Sequence, residues 1–148
     1  MFFKERFVRK QGYSLIETLV VIFIAATLIG MASIPFLNSS PKYKLINAVR
    51  EIHSRMNYAR YKAIFSGNKI RLKFEPHSYT IESYHEAENK WVSEMRNILE
   101  GVQIQANNTP TFHPRGTVSN LASIYVSNSW GKFRISLAIS GRIKTSEL

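Results

Sequence analysis

The sequence predicts an α+β fold, in which one long N-terminal helix precedes an antiparallel β-sheet. Three patterns carry this prediction: an uncharged apolar run over residues 18–37, a helical repeat of apolar residues over residues 45–63, and alternating apolar and polar residues in several later segments. The strand-like segments all follow the helical part. This order favours separate helical and sheet regions over alternating βα units.

The apolar run at residues 18–37 is the first element of the chain. A helix of about 20 residues is about 30 Å long, which matches the hydrocarbon core of a bilayer. Lys and Arg residues precede the run and favour a cytoplasmic N-terminus, with the rest of the chain outside. We therefore predict a transmembrane and assembly helix over residues 13–37. Its fate stays open at this point: a permanent anchor, a segment with its own processing system, or a secretory signal cut before Ser33, where Gly30 and Ala32 supply the small residues.

A second, amphipathic helix is predicted over residues 38–66. Its apolar positions recur at steps of three and four, which is the helical period. They are Leu45, Val49, Ile52, Met56, Ala59 and Ala63. The opposite face is basic and is expected to be solvated or to lie near the membrane; it carries Lys42, Lys44, Arg50, Arg55, Arg60 and Lys62. Gly67 is expected to end the helix.

Residues 67–148 are predicted to form an antiparallel β domain. The segment KIRLKFE alternates apolar and charged residues, and Pro76 supports a turn into YTIESYH. Further alternating segments are GVQIQ, ASIYVS and KFRISLAI, with turns at residues 128–131 and 140–141. Residues 82–100 lack a clear period, so a partly covered loop or a short strand is expected there.

The composition excludes several classes of function. The chain has no Cys, no Asp and a formal net charge of +10, which excludes disulfides and thiolate chemistry and favours anionic partners. No catalytic or phosphate-binding motif is present, and the four His residues lack metal-ligand spacing. His85 lies near Glu82, Glu86 and Glu88, but a solvated acidic loop is the favoured interpretation. We predict no enzyme activity, catalytic residue, cofactor, metal or small-molecule substrate.

Glu17 is the unusual residue of the N-terminal segment, because a carboxylate at the head of an apolar helix is costly in lipid. The surrounding residues, GYSLIE, resemble the class III prepilin leader, usually GFTLIE. The resemblance implies that residues 1–12 are a leader peptide cleaved between Gly12 and Tyr13 by a prepilin peptidase, and that the new amine of Tyr13 is methylated. Glu17 then becomes the fifth residue of the mature chain, the family's glutamate for assembly and register.

Two later segments narrow the resemblance. MNYARYKAIFSGNKIRLKFE and TFHPRGTVSNLASIYVSNSWGKFRISLAISGRI look like the corresponding parts of GspH/FimT-type pseudopilins. The resemblance implies a type IV pilin-like fold and a non-enzymatic subunit, at or near the tip of a type II secretion pseudopilus or a type IV pilus. The implied partners are the prepilin peptidase/methyltransferase, other pilin or pseudopilin subunits and the bacterial inner membrane. The implied topology is single-pass, with the C-terminal domain in the periplasm.

The C-terminal segment SGRIKTSEL leads to a second functional hypothesis. In FimT-type minor pilins of DNA uptake, a C-terminal G-R-x-R pattern is implicated in binding DNA. Here Gly141 and Arg142 match, whereas Lys144 replaces the second Arg and lacks its bidentate fork. The resemblance implies double-stranded DNA as a candidate partner of Arg142 and Lys144. The alternative is a solvated edge strand kept soluble by its charges.

Overall fold

The computed structural model describes residues 14–148, except for the side chains of residues 31–39. The chain divides into two compact units, Met1–Leu37 and Asn38–Leu148. Helix α1 spans Leu15–Ser39. Helix α2 (Pro41–Ser66) and the β-strands belong to the second unit.

Helix α2 forms where the sequence has its apolar repeat. Ser40 precedes it with extended backbone, and Pro41 occupies the first turn, where its missing N–H costs no hydrogen bond. Gly67 ends the helix with a φ of 70°, and its N–H donates to the Ala63 carbonyl. All six residues of the predicted apolar stripe are buried, together with Ala48.

Nine strands follow α2 in the described part of the chain. They are β1 (Ile70–Glu75), β2 (Ser78–His85), β3 (Lys90–Ile98), β4 (Gln103–Ala106), β5 (Thr111–Phe112), β6 (Val118–Ser119), β7 (Ser123–Ser127), β8 (Lys132–Leu137) and β9 (Ile143–Glu147). They form a five-stranded sheet of order β3-β2-β1-β5-β6 and a four-stranded sheet of order β4-β7-β8-β9, in which every pairing is antiparallel.

The core lies where α2 packs on both sheets. Helix α2 contacts β1 and β5 of the first sheet and β7 and β8 of the second. Alternate strand residues such as Leu72, Ile124 and Ile135 are fully buried against it. One face of each sheet is therefore covered by α2, and the opposite face has the greater share of the exposed residues.

The α+β class is confirmed, and two details differ from the sequence prediction. The strands form two sheets instead of one. Residues 90–98, expected as a partly covered loop or short strand, form the nine-residue edge strand β3. The register between β2 and β3 shifts at Ile81/Glu82, so the alternation of β3 is interrupted and its sequence shows no clean period.

Candidate functional site

The N-terminal motif contributes Glu17, which lies in the first turn of α1. A carboxylate at this position interacts favourably with the positive end of the helix dipole. The Glu17 side chain is exposed and lines a surface groove with Thr18, Val21 and Ile22. Gly12 and Tyr13, the predicted cleavage and methylation residues, lie outside the described residues.

Helix α1 presents a large apolar surface. The apolar side chains described there are about half exposed or more, from Val20 at 49% to Leu15 at 79%. A surface of this kind requires a partner, since soluble monomers rarely expose such patches. Within the described residues, no helix is both long enough and apolar enough to cross a membrane.

The C-terminal end contributes a tight turn between β8 and β9. The Gly141 N–H donates to the Ala138 carbonyl and the Ala138 N–H donates to the Arg142 carbonyl, both at 2.9 Å. Gly141 has a φ of 79°, which favours glycine. Arg142 therefore lies at the end of a turn of defined geometry and immediately precedes the edge strand β9.

Arg60 of α2 packs against the turns at this end of the domain. Its Nε donates to the Gly116 carbonyl at 3.2 Å. A Cβ added to Gly141 would lie 2.7 Å from the Arg60 Nε and 2.9 Å from the Gly116 carbonyl oxygen. Arg60 belongs to the basic face that was expected to be solvated or to lie near the membrane, but its guanidinium instead contacts the turns at Gly116 and Gly141.

The strand register gathers four cations on one face. Ile135 and Leu137 of β8 face the core, so the residues that alternate with them face outward. Arg134 and Ser136 pair with Ser146 and Lys144 of β9. The exposed cations of this outer face are Lys132, Arg134, Arg142 and Lys144. We call these four residues the cationic face.

One aromatic residue and one surface depression lie beside the residues of the cationic face. Tyr125 of β7 pairs with Arg134, and the Lys132 Nζ lies 4.8 Å from the centre of the Tyr125 ring. Arg142 and Lys144 line the same depression, with Ser136, Leu137 and Ala138 beside them. The structure thus brings together the two residues singled out by the sequence.

On the five-stranded sheet, by contrast, two arginines form ion pairs with glutamates. Arg71 pairs with Glu82, and Arg96 pairs with Glu75. The Ser78 hydroxyl and the Arg96 guanidinium lower the pKa of Glu75. Among the described residues, no ion pair involves a member of the cationic face. The two outer sheet faces therefore differ in available positive charge, and the cationic face is the one suited to bind an anion.

The described residues contain no group of three or more His, Cys, Asp or Glu side chains that could hold a metal ion. His77 Nδ1 lies 2.8 Å from the Val102 carbonyl oxygen, and His113 Nε2 lies 2.8 Å from the Ser119 hydroxyl. These two imidazoles thus have local structural contacts.

Sequence reasoning missed three members of this site. Lys132, Arg134 and Tyr125 were assigned to strands, but not to the same face as Arg142 and Lys144. The signal was present as the alternation in KFRISLAI, whose first two polar positions are basic. The sequence patterns do not reveal that β8 pairs with β7 and β9.

A family model described as the prokaryotic N-terminal methylation motif matches residues 8–33. No curated protein matches the chain in sequence.

Solved structures match the fold of most of the chain. The minor pseudopilin EpsH of the type II secretion system of Vibrio cholerae has 12% identity and a TM-score of 0.61, over 70% of this chain and 97% of that chain. A crystal structure of the same pseudopilin gives 12% identity and a TM-score of 0.62, over 72% of this chain and 95% of that chain. The type IV minor pilin FimU of Pseudomonas aeruginosa has 15% identity and a TM-score of 0.58, over 71% of this chain and 90% of that chain. The chain therefore shares the fold of these solved structures.

Proposed function

Because the chain joins an N-terminal methylation motif to a fold shared with minor pilins and pseudopilins, we propose that it is a non-enzymatic subunit of a type II secretion pseudopilus or a type IV pilus. The conjunction of the two features carries the proposal, since the motif concerns processing and the fold concerns assembly. The subunit is held in the inner membrane by its N-terminal segment, with residues 38–148 in the periplasm. It is then incorporated at or near the tip of the filament.

In this proposal a prepilin peptidase cuts between Gly12 and Tyr13 and methylates Tyr13. The cut creates a cationic amine a few residues before Glu17. An isolated carboxylate is costly in lipid, whereas one that faces the N-terminal amine of a neighbouring subunit is paired. The exposure of Glu17 in the first turn of α1 leaves it available for that pairing. Glu17 thereby sets the axial register of neighbouring helices.

The test separates assembly from insertion and cleavage. We expect Glu17→Ala and Glu17→Leu to insert and to be cleaved normally, but to be recovered in sheared filaments at a small fraction of the wild-type yield. Thr18→Ala is the matched control, because it changes the adjacent polar residue without removing a charge. Wild-type incorporation of both Glu17 variants would contradict the assigned role.

The cationic face supports a second candidate function, the binding of DNA by a minor pilin. Four exposed cations on neighbouring strands, separated by about 7 Å by sheet geometry, suit a row of backbone phosphates. Arg134 and Arg142 can form bidentate contacts, whereas Lys132 and Lys144 act as point charges. Recognition of this kind is independent of base sequence.

Salt dependence tests this candidate quantitatively. Four phosphate contacts predict a slope of about −3.6 for log K against log salt on duplex DNA, and Arg142→Ala with Lys144→Ala should reduce it to about −1.8. Lys73→Ala, on the other sheet, is the control and should leave the slope unchanged. Absence of measurable binding at about 50 mM salt would exclude DNA as a ligand, because low salt is the favourable condition.

A further inference from the structure

The end of the globular unit at which α2 begins carries an ordered, exposed Trp. Trp130, in the β7–β8 loop, is 42% exposed. Exposed Trp in a soluble surface loop is uncommon, since its large ring normally contributes to a core or to an interface. The loop that carries this ring is held to the start of α2 by a hydrogen bond.

Asn128 fixes the loop to the start of α2. Its Nδ2 donates to the Pro41 carbonyl at 2.7 Å and to the Gly101 carbonyl at 3.3 Å. Its Oδ1 accepts from the Trp130 N–H at 2.9 Å. One side chain thus ties the loop carrying Trp130 to the first turn of the helix.

Lys42 completes the arrangement. Its Nζ lies 5.3 Å from the centre of the Trp130 ring, within cation–π range. Tyr43, the next residue, is 43% exposed. An exposed Trp, an exposed Tyr and a Lys with a long aliphatic stem are the residue types enriched at the interface between a bilayer and water. We call Lys42, Tyr43 and Trp130 the basal cluster.

We propose that the basal cluster docks on the phospholipid headgroup layer of the membrane that holds the unassembled subunit. Chain connectivity supports this occupant: α2 begins at Pro41, two residues after α1 ends at Ser39, and the described apolar side chains of α1 are exposed. Charge complementarity supports it too, because the Lys42 ammonium can contact lipid phosphates while the Trp130 ring lies among the headgroups.

Carboxylates near the basal cluster limit its electrostatic attraction. Glu100 lines a depression with Lys44 close to the start of α2, and Glu147 pairs with Phe133 in the adjacent strands. The contact therefore depends on the Trp130 ring as well as on Lys42. It orients the subunit on the membrane, and filament assembly must release it.

The chain offers an internal control, because it has only two Trp residues. Trp91 lies in β3 of the other sheet. The centre of its ring lies 5.2 Å from the centre of the Tyr84 ring and 4.2 Å from the guanidinium carbon of Arg71. The full chain is reconstituted in vesicles of phosphatidylcholine and phosphatidylglycerol as two single-Trp variants. Trp91→Phe reports on Trp130, and Trp130→Phe reports on Trp91.

Quenching by lipids brominated close to the headgroup is the measurement. We expect strong quenching for Trp130 and little for Trp91. Lys42→Ala in the Trp91→Phe background should shift the ratio of docked to undocked states about fivefold towards undocked. Lys73→Ala, remote from the basal cluster, should leave it unchanged.

This inference rests on the membrane anchoring in the proposed function, and the outcomes distinguish the two. A chain that floats with vesicles while Trp130 is quenched no more than Trp91 overturns the inference alone. Protection of Trp130 that increases with the protein-to-lipid ratio assigns the surface to a second copy and also overturns it. A chain that fails to float with the vesicles overturns the anchoring and, with it, the inference.

Discussion

Gly141→Ala tests the packing that positions the cationic face. Gly141 has a φ of 79°, and an added Cβ would lie 2.9 Å from the Gly116 carbonyl oxygen and 2.7 Å from the Arg60 Nε. The carbonyl belongs to the backbone and cannot turn aside. Arg60 can move, but only by giving up its hydrogen bond to the same carbonyl.

The expected cost follows from these contacts. Left-handed backbone costs an L-residue about 1–2 kcal/mol, offset by about 0.4–1 kcal/mol because Ala restricts the unfolded chain. Overpacking adds about 1–3 kcal/mol, and the lost hydrogen bond adds about 1 kcal/mol. We therefore expect Gly141→Ala to lower the free energy of unfolding by roughly 4 kcal/mol.

Gly67→Ala is the matched control. Gly67 has a similar φ of 70°, but no atom lies within 4 Å of an added Cβ. The same backbone strain then acts without the overlap, and a loss of about 1 kcal/mol is expected. Urea unfolding of the full chain in detergent micelles measures both values. Equal losses for the two variants would refute the close packing of the β8–β9 turn.

Two further predictions concern the contacts of β2. Tyr79→Phe should lower the free energy of unfolding by about 1.5–3 kcal/mol, because the buried Tyr79 hydroxyl donates to the Glu51 carboxylate at 2.7 Å; an unchanged urea midpoint would refute this. The pKa of Glu75 is lowered by the Ser78 hydroxyl and by Arg96, so its contribution is present above the ordinary carboxyl pKa and is lost as the pH falls through the lowered value. Glu75→Gln should therefore flatten the acid side of the stability curve measured by thermal unfolding, and an unaltered pH dependence would contradict the ion pair.

The sequence predicted those parts of the fold that depend on local patterns. The apolar stripe from Leu45 to Ala63 is buried, and Gly67 ends α2. Both features could be predicted because the 3.6-residue period and the left-handed glycine cap depend only on residues close together in the sequence. The strand β1 follows from its strict alternation in the same way.

The division into two sheets was not predictable, because it depends on pairing between distant segments. Ile70 of β1 pairs with Phe112 of β5, and nothing local to either residue selects the other. Strand β3 was not predicted as a full strand because the bulge opposite Ile81 and Glu82 interrupts its alternation. Its position at the edge of the sheet also leaves most of its residues exposed.

Contacts between distant segments also explain why the sequence predicted only part of the site. Glu17, Arg142 and Lys144 were found because each belongs to a short contiguous motif. Lys132 joins them only through the register of β8, and Arg60 only through the approach of α2 to Gly116. Local motifs identified the candidates, and tertiary structure supplied their neighbours.

Processing of the N-terminus distinguishes a pilin-like subunit from an exported soluble domain. The decisive measurement is mass spectrometry of the mature N-terminus, from cells that express a prepilin peptidase. We expect a chain that begins at Tyr13 and carries one methyl group on its amine. A chain that begins at Ser33, as a secreted domain would, or one that retains Met1, would contradict it.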